Sequence, residues 1–293
     1  MYFELGFYGH DAKAAEIDLY DVSVALSGFH RSLALTTHLI LNDEIIVQAP
    51  SLNGATINAL VAEEGSWKLP IVLTIIGAGI HQVGTAPKDT PLGHLVHSAY
   101  DYVVQQSLGF HVDYDKSLGQ QYDEAKKENQ KIKKLDEYRF DSLIEKCENS
   151  IKDIHRPIHG QGTAKVARIK ARKKKGSKGK QIGKDLNDET FEYISKSLLS
   201  TTSSRYYGRV SSYNSNTYSG RIFVPSVGFA VPFRLTGSAK NYVAVSLITS
   251  SLVANSQSDV DDEHGFISFN AFERTSKNGR LKSYNIVDVS PSG

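Results

Sequence analysis

Apolar and polar positions in the first 112 residues predict a strand, a long helix, several short strands and a second helix. Residues 2–8 (YFELGFY) alternate as a strand does. After Asp21, apolar side chains recur at helical spacing, with Asp21 or Ser23 near the N-cap. The other predicted elements are strands at 44–50, 55–62 and 67–76 and a helix from about Thr90 to Leu108. This order predicts an N-terminal α+β domain of mixed strands and helices over residues 1–112.

Residues 113–187 differ in character, because charge is dense and apolar positions are intermittent. The apolar positions between 132 and 151 have helical spacing without a sustained heptad, which favours a bent or packed helix over a dimeric coiled coil. Pro157 and the glycines after it end this pattern. We interpret residues 113–187 as a charged helical connector that carries a basic run.

Residues 188–293 have the pattern of a β-rich domain. A short helix is predicted over 188–199, and residues 241–254 favour a helix over a strand. Apolar segments bounded by turn residues predict strands at 206–214, 219–226, 228–235, 265–274 and 279–289. Four or five short strands with one helix predict a small barrel or a curled sheet.

Positive charge is concentrated in one stretch, Lys165–Lys184, which holds ten Lys or Arg and no acidic residue. The whole chain has 34 basic and 32 acidic residues, so the remainder has 24 basic against 32 acidic, or −8. Lys and Arg neutralise phosphates and release counterions without reading bases. The predicted phosphate contacts are Lys170, Arg172, Lys173, Lys174, Lys175, Lys178 and Lys180.

Two other interpretations of this basic run stay open. Gly176 and Gly179 suit a flexible segment that follows a nucleic-acid backbone. One alternative is a solvated linker whose charge prevents collapse, although ten positive charges without an acidic residue are more than a linker needs. An anionic membrane surface would attract the same side chains.

Aromatic and cationic residues are interleaved in the predicted C-terminal strands. The rings are Tyr206, Tyr207, Tyr213, Tyr218, Phe223 and Tyr284, and the cations are Arg205, Arg209, Arg221, Arg234 and Lys282. Such sheets bind single-stranded nucleic acids by base stacking and backbone contact. The alternative is that these rings are good strand formers that fill the core or an edge.

Two residues of the first predicted helix suggest a ribonuclease. Arg31 and His38 resemble the motif of HEPN ribonucleases, in which Arg steadies the phosphate and His acts on the 2′-hydroxyl. Ser32 departs from the polar Asn, His or Asp usual after the Arg, and the predicted strands do not suit an all-helical fold. Arg31 and His38 are therefore weak catalytic candidates.

Metal and cofactor sites are not expected. His94 with His97, and His155 with His159, could each supply two metal ligands, but no Cys or carboxylate is spaced to complete either set. Dinucleotide-binding, phosphate-loop and nucleophile-elbow motifs are not found.

The most apolar stretch, residues 69–80, has only about a dozen apolar residues, fewer than the ~20 of a membrane-spanning helix. Its β-branched content favours a buried central strand. Cys147 is the only cysteine, which suits a reducing compartment, and the N-terminal residues lack the pattern of a secretory signal. We expect a cytoplasmic protein.

Longer segments resemble an uncharacterised family of bacterial and prophage proteins. In the N-terminal half they are DLYDVSVALSGFHRSLALTTHLIL (18–41) and EEGSWKLPIVL (63–73). In the C-terminal half, SGRIFVPSVGFAVPFRL (219–235) and NGRLKSYNI (278–286) are similar to the same proteins. The resemblance implies a two-domain cytosolic protein linked to mobile elements or anti-phage defence loci, and no catalytic residue.

The leading hypothesis is a non-enzymatic nucleic-acid-binding accessory protein of an anti-phage defence or mobile-element system. The alternatives are a HEPN-like ribonuclease effector and a self-assembling or membrane-active effector. The expected partners are RNA or DNA and a protein from the same operon, with a homo-oligomer also considered. A membrane is not an expected partner.

Overall fold

The computed structural model contains two compact units. It describes residues 1–46, 52–60, 67–76, 90–128, 134–172, 177–257, 265–276 and 279–291. Unit 1 comprises Met1–Asp136 and Ser142–Ile194, and unit 2 comprises Glu137–Asp141 and Ser195–Gly293. The predicted α+β class is confirmed, with mixed strands and helices in the first part and a small barrel with one helix in the second.

Unit 1 is built on an antiparallel sheet. Its strands are β1 (Tyr2–Tyr8), β2 (Ala55–Ala59), β3 (Lys68–Ile75), β4 (Val166–Arg172) and β5 (Lys180–Leu186). Its helices are α1 (Leu19–Asn42), α2 (Pro91–Ser107), α3 (Gln120–Glu128), α4 (Glu137–Ile154, whose first turn belongs to unit 2), α5 (Arg156–His159) and α6 (Asp188–Ser195). A 3-10 helix at His10–Ala14 and a π-helical turn at Asp115–Gly119 complete it. The strand order is β2-β3-β1-β4-β5.

One face of this sheet forms the core of unit 1. Phe3, Leu5 and Phe7 of β1 alternate onto this face and are fully buried. Tyr100 of α2 packs edge-on against Phe3, with 5.9 Å between ring centroids. Its hydroxyl lies 2.9 Å from the Ser32 hydroxyl of α1, so α1 and α2 are joined over the sheet.

Helix α1 starts before its predicted N-cap because Asp18 caps it. The Asp18 carboxylate accepts a hydrogen bond from the Asp21 N–H at 2.8 Å. Asp21 is buried and accepts hydrogen bonds from Arg156 Nε at 2.8 Å and from the Gln161 N–H at 2.7 Å. It therefore ties the start of α1 to the segment after α4 instead of capping the helix.

The two flanks of the basic run are strands, which the sequence analysis did not predict. Ala167, Ile169 and Ala171 of β4 face the core opposite Phe7, Leu5 and Phe3, and all three are fully buried. Because each small or apolar residue alternates with Arg or Lys, the run fits a sheet with one buried face. A solvated linker does not describe residues 166–172 and 180–186.

The compact units divide the chain differently from the predicted boundaries at 112/113 and 187/188. The helices and the basic hairpin of residues 113–187 pack mainly within unit 1, and α6 closes that unit. Helix α6 contacts the end of α4 through Thr190, whose hydroxyl lies 2.9 Å from His155 Nε2. The chain passes into unit 2 between Ile194 and Ser195.

Unit 2 is a small closed barrel. Its strands are β6 (Leu198–Leu199), β7 (Ser204–Asn214), β8 (Ser219–Val224), β9 (Phe229–Leu235), β10 (Phe266–Thr275) and β11 (Leu281–Pro291). The sheet order is β11-β9-β8-β7-β10-β6, and a β10–β11 pairing closes five of these strands into a ring. Strands β9 and β11 pair in parallel. With helix α7 (Tyr242–Gln257) between the third and fourth barrel strands, this is the topology of an OB fold.

The interior of the barrel is apolar and one helix closes it. Val210, Ile222, Val231, Phe269 and Ile286 belong to one buried cluster. Ser251 of α7 accepts a hydrogen bond from the Val210 N–H at 2.9 Å and donates one to the Gly265 carbonyl at 2.6 Å. The prediction of a helix at 241–254 is confirmed.

Other predicted strands have mixed outcomes. Residues 44–46 are irregular, because Asp43 ends α1 in the left-handed conformation (φ 54°), and 47–50 lie outside the described residues. The apolar stretch is strand β3 as far as Ile75, between β2 and β1, and its residues 77–80 lie outside them too. Within the described ranges, no helix is both long and apolar enough to cross a membrane.

Candidate nucleic-acid interface

On the basic hairpin β4–β5, Arg168, Lys170 and Arg172 of β4 lie on the face of the sheet opposite α1 and α2, whereas Lys180 is directly across from the buried Ala171 and belongs to the other face. Directly paired residues of antiparallel strands point to the same face. In the strand register, Lys170 lies directly across from Glu4 of β1 and from Gln181 of β5. Arg172 lies directly across from Tyr2. We call this polar side, formed by β1, β4 and β5, the outer face of unit 1.

Two arginines of the basic run are held by carboxylates within unit 1. Arg172 forms an ion pair with Glu4, and their side chains are only 11% and 1% exposed. Arg168 binds Asp185 through two hydrogen bonds of 2.9 and 2.8 Å. The hydrogen bonds from Arg168 lower the pKa of the Asp185 carboxyl below its usual value. These charges are therefore engaged within the fold, and the phosphate contact of Arg172 stays a prediction.

Tyr8 organises the middle of the outer face. The guanidinium carbon of Arg168 lies 5.0 Å from the centre of its ring, and Lys170 Nζ lies 5.9 Å from it. The ring also lies across Gly6, where a Cβ would come within 2.9 Å of the tyrosine oxygen. Burial, followed by the charge of Glu4, raises the pKa of the Tyr8 hydroxyl.

The lysines of the hairpin differ from its arginines. Lys178 and Lys180 are exposed and Lys170 is half-buried. None of these three side chains forms an ion pair with the part of the chain that the structure describes. Gly179 brings the two arms close together, since a Cβ there would lie 3.0 Å from Lys170 Cβ.

The centre of the basic run cannot be placed in this site. Lys173, Lys174, Lys175 and Gly176 lie outside the described residues. Their predicted phosphate contacts stay predictions. The described candidates for phosphate contact in the predicted set are Lys170, Lys178 and Lys180, each in or next to a strand.

A second surface with rings and cations lies on the outside of the barrel. Tyr207 of β7 and Phe266 of β10 are stacked, with 4.6 Å between centroids and 10° between ring planes. Arg209 lies over the Phe266 ring at 5.4 Å and is paired directly with both Phe266 and Phe223 of β8. We call Tyr207, Phe266, Arg209 and Phe223 the aromatic ladder. Tyr207 keeps 40% of its surface exposed.

Most of the other interleaved rings belong to the barrel itself. Tyr284 is fully buried, and Tyr206 packs 4.6 Å from it and donates a hydrogen bond to Glu273 at 2.9 Å. Tyr213 is stacked with Phe233, and Tyr218 lies beneath Lys240. The interpretation of these rings as strand and core residues therefore fits them better than a binding platform does.

The cations of the C-terminal strands differ in how far they are exposed. Arg221 is buried and donates to Asp141 at 2.7 Å, within unit 2. Arg205 and Arg234 are exposed, whereas Arg209 and Lys282 are half-buried. On β7, Arg205, Tyr207 and Arg209 alternate to the outside, so two arginines flank the exposed ring.

Arg31 and His38 have different environments on α1. They lie two turns apart on α1, which corresponds to about 10 Å along the axis. His38 is buried and accepts a hydrogen bond on Nδ1 from the Asn53 N–H at 3.1 Å, and burial lowers its pKa. Arg31 acts electrostatically on Asp153 and Cys147 of α4. His38 therefore has a buried, hydrogen-bonded environment, and the ribonuclease hypothesis stays a prediction.

The histidine pairs have structural environments. Burial lowers the pKa of His155 to about 4, and its ring bonds to the Ile151 carbonyl and to Thr190. His159 stacks on Phe191 at 3.7 Å and pairs with Asp188 at 3.0 Å. His97 is buried and His94 exposed, so they do not share an environment. The described residues contain no cluster of three or more potential metal ligands.

Sequence reasoning missed Phe266 and did not separate Tyr207 from its neighbours. The available signal was strand alternation: Ile267, Phe269 and Ala271 are buried, so Phe266 must point outward. Which outward ring on β7 meets it depends on the β7–β10 register, and a single sequence does not contain that register.

Two families match this chain and together cover most of it. Residues 3–195 match the family described as Domain of unknown function (DUF7946), and residues 202–290 match the Family of unknown function (DUF7947). No curated protein and no solved structure matches the chain. The chain belongs to the DUF7946 family, which confirms the expected membership of an uncharacterised family.

Proposed function

We propose that this DUF7946-family protein is a non-enzymatic nucleic-acid-binding accessory protein. The observation that supports this best is the set of lysines on the β4–β5 hairpin that do not pair with described carboxylates. Lys170 lies against Gly179, whose neighbours in the chain are Lys178 and Lys180, on an otherwise acidic chain. Such a cluster attracts phosphates through counterion release, without base recognition.

The structure of the hairpin strengthens this proposal over a linker. Lysines on two paired strands are held at defined positions, so less conformational entropy is lost when they bind phosphates than in a flexible chain. Arg168 and Arg172 support the hairpin through their carboxylate partners. In this proposal the arginines keep the strands in place and the lysines contact the ligand.

The cellular setting is part of the proposal. The described thiol of Cys147 is buried and unpaired, which supports a reducing, cytoplasmic location. The resemblance to prophage and bacterial proteins supports a role in an anti-phage defence or mobile-element system. In that setting a protein from the same operon would supply any enzymatic activity. OB folds bind oligonucleotides in other proteins, although fold alone does not decide function.

The test is a salt titration of binding. Fluorescence anisotropy with a labelled single strand of RNA or DNA, from about 50 to about 500 mM salt, gives the slope of log K against log salt. Changing Lys170, Lys178 and Lys180 to Ser removes three contacts. The slope should become less negative by about 2, since each phosphate contact on a single strand contributes about 0.7.

A matched control keeps the same net charge. Lys126, Lys127 and Lys196 are exposed lysines outside the hairpin, and their change to Ser should leave the slope as in the wild type. Equal slopes for all three proteins would contradict the proposal. Binding to vesicles of phosphatidylserine, with none to RNA or DNA at low salt, would replace it with the membrane interpretation.

A further inference from the structure

The side chains of the aromatic ladder lie on the outside of the barrel and are not part of the core of unit 2. The core is filled from the other side of the same strands, by Ile267 and Phe269 of β10 and by Val210 of β7. Tyr207 nevertheless keeps 40% of its surface exposed while its ring stacks on Phe266. A large exposed ring of this kind is available for a ligand.

The surroundings of the ladder are polar and cationic. Arg205 and Arg209 are the outward neighbours of Tyr207 on β7, and Ser268 and Asn270 are the outward residues opposite on β10. On the neighbouring strand β11, the Asp288 carboxylate accepts a hydrogen bond from Asn270 at 3.4 Å. A ring with an arginine on each side along the strand complements a base next to its phosphates.

We propose that the aromatic ladder binds single-stranded nucleic acid, with a base stacked on Tyr207 and the adjoining phosphates near Arg205 and Arg209. This proposal rests on the proposed function and deepens it, because it names single strands as the ligand class. In a duplex the faces of the bases are covered by their neighbours, so stacking on Tyr207 selects unpaired strands. Phe266 and Phe223 hold Tyr207 and Arg209 in position by cross-strand contact.

A comparison of two strands with equal charge isolates the stacking. One is an oligothymidylate of about 12 nucleotides, within the site size of one OB barrel, and the other is an abasic strand with the same number of phosphates. The wild type should bind the oligothymidylate about 5- to 150-fold more tightly, since one stacked base contributes about 1–3 kcal/mol. In the Tyr207→Ala variant the two affinities should become equal, with the salt slope unchanged.

Two further variants keep the test decisive. Tyr207→Trp should retain the preference for bases, whereas Tyr207→Leu, which keeps apolar area without a ring, should lose it. Thermal unfolding followed by circular dichroism verifies that each variant is folded. If Tyr207→Ala unfolds, Tyr207→Leu and Tyr207→Trp give the same comparison.

The outcomes separate this inference from the proposed function. If the wild type binds both strands equally, the proposed stacking of bases on the aromatic ladder is wrong. The proposed function still holds in that case if the lysine variant changes the slope of log K against log salt. A preference for bases that persists in Tyr207→Leu would also overturn it. If the wild type binds neither strand at low salt, both proposals are wrong.

Discussion

The outer face of unit 1 and the outside of the barrel both combine rings with cations, but they use them differently. On the outer face, Arg172 and Arg168 are paired with Glu4 and Asp185, and Tyr8 lies beneath Arg168. On the barrel, Arg209 lies over the Phe266 ring, and the exposed Tyr207 is stacked on that same ring. On the first surface two arginines bind carboxylates, and on the second an arginine lies over an aromatic ring.

This difference shows that charge density in a sequence is not the same as charge available to a partner. The basic run has ten cations, yet two of its described arginines are bound by carboxylates distant in sequence or across the hairpin. In unit 2 fewer cations lie beside an exposed ring. The first surface should therefore bind through lysine charge, and the second through stacking.

The largest effect should come from removing the buried arginine of unit 1. Arg172→Ala leaves Glu4 buried without its partner, which should lower the free energy of unfolding by about 3–5 kcal/mol. Arg168→Ala breaks a pair whose side chains are more than one third exposed, and should cost only about 0.2–1 kcal/mol. Urea unfolding followed by the fluorescence of Trp67, which packs 5.3 Å from Phe7, reports on unit 1.

A double variant provides the control for this experiment. Glu4→Leu combined with Arg172→Leu removes both charges, and should recover much of the stability lost in Arg172→Ala. Equal losses for Arg172→Ala and Arg168→Ala would contradict the distinction between buried and half-exposed pairs on this face.

Acid should weaken unit 1 through His155. Its pKa in the folded protein is about 4, below the ordinary 6.5, so the unfolded chain takes up the proton first as pH falls. The stability that its neutral form contributes is complete above pH 6.5 and is lost as the pH falls to about 4, by about 3 kcal/mol. Trp67 fluorescence during urea unfolding at several pH values measures this loss.

The barrel supplies the contrast, because the described residues of unit 2 contain no histidine. Hydrogen exchange over β7–β11 should therefore change less than exchange over β1 and β4 between pH 6.5 and 5. His155→Gln should reduce the pH dependence of unit 1, and His94→Gln, at an exposed position, should not. A barrel that loosens with acid before unit 1 does would contradict this account.

The smallest effect should separate the two neighbouring tyrosines of β7. Tyr206→Phe removes the hydrogen bond to Glu273 and should destabilise unit 2 by about 1.5 kcal/mol. Tyr207→Phe keeps the exposed stacked ring and should leave stability within about 0.5 kcal/mol of the wild type. Thermal unfolding of both variants measures the difference, and equal destabilisation would contradict the assignment of Tyr206 to the inside of the barrel and Tyr207 to its outside.

Much of the fold could be predicted from the sequence because its periodicity is clear. Residues 2–8 and 67–76 alternate as strands, and Thr90 caps a helix at the expected place. The basic run shows why strands β4 and β5 were not predicted. Ala167 and Ala171 are small, so the alternation in VARIKAR is weak beside its charge, and the partners that make it a strand are distant in sequence.

The candidate site was less predictable for the same reason. Which cations are engaged depends on pairing registers, such as Arg172 beside β1 and Arg209 beside β10. The sequence placed the rings and charges in the right segments. Only the fold separates Tyr207 from Tyr206, by the face to which each side chain points, and Lys170 from Arg172, by the ion pair that Arg172 forms with Glu4.

The most direct test of the two-surface account is one set of salt titrations with a single-stranded probe. The change of Lys170, Lys178 and Lys180 to Ser should flatten the slope of log K against log salt by about 2. Tyr207→Ala should instead shift the line to weaker binding at every salt concentration and keep the wild-type slope. A flattened slope in Tyr207→Ala, or an unchanged slope in the lysine variant, would contradict the assignment of charge to unit 1 and stacking to the barrel.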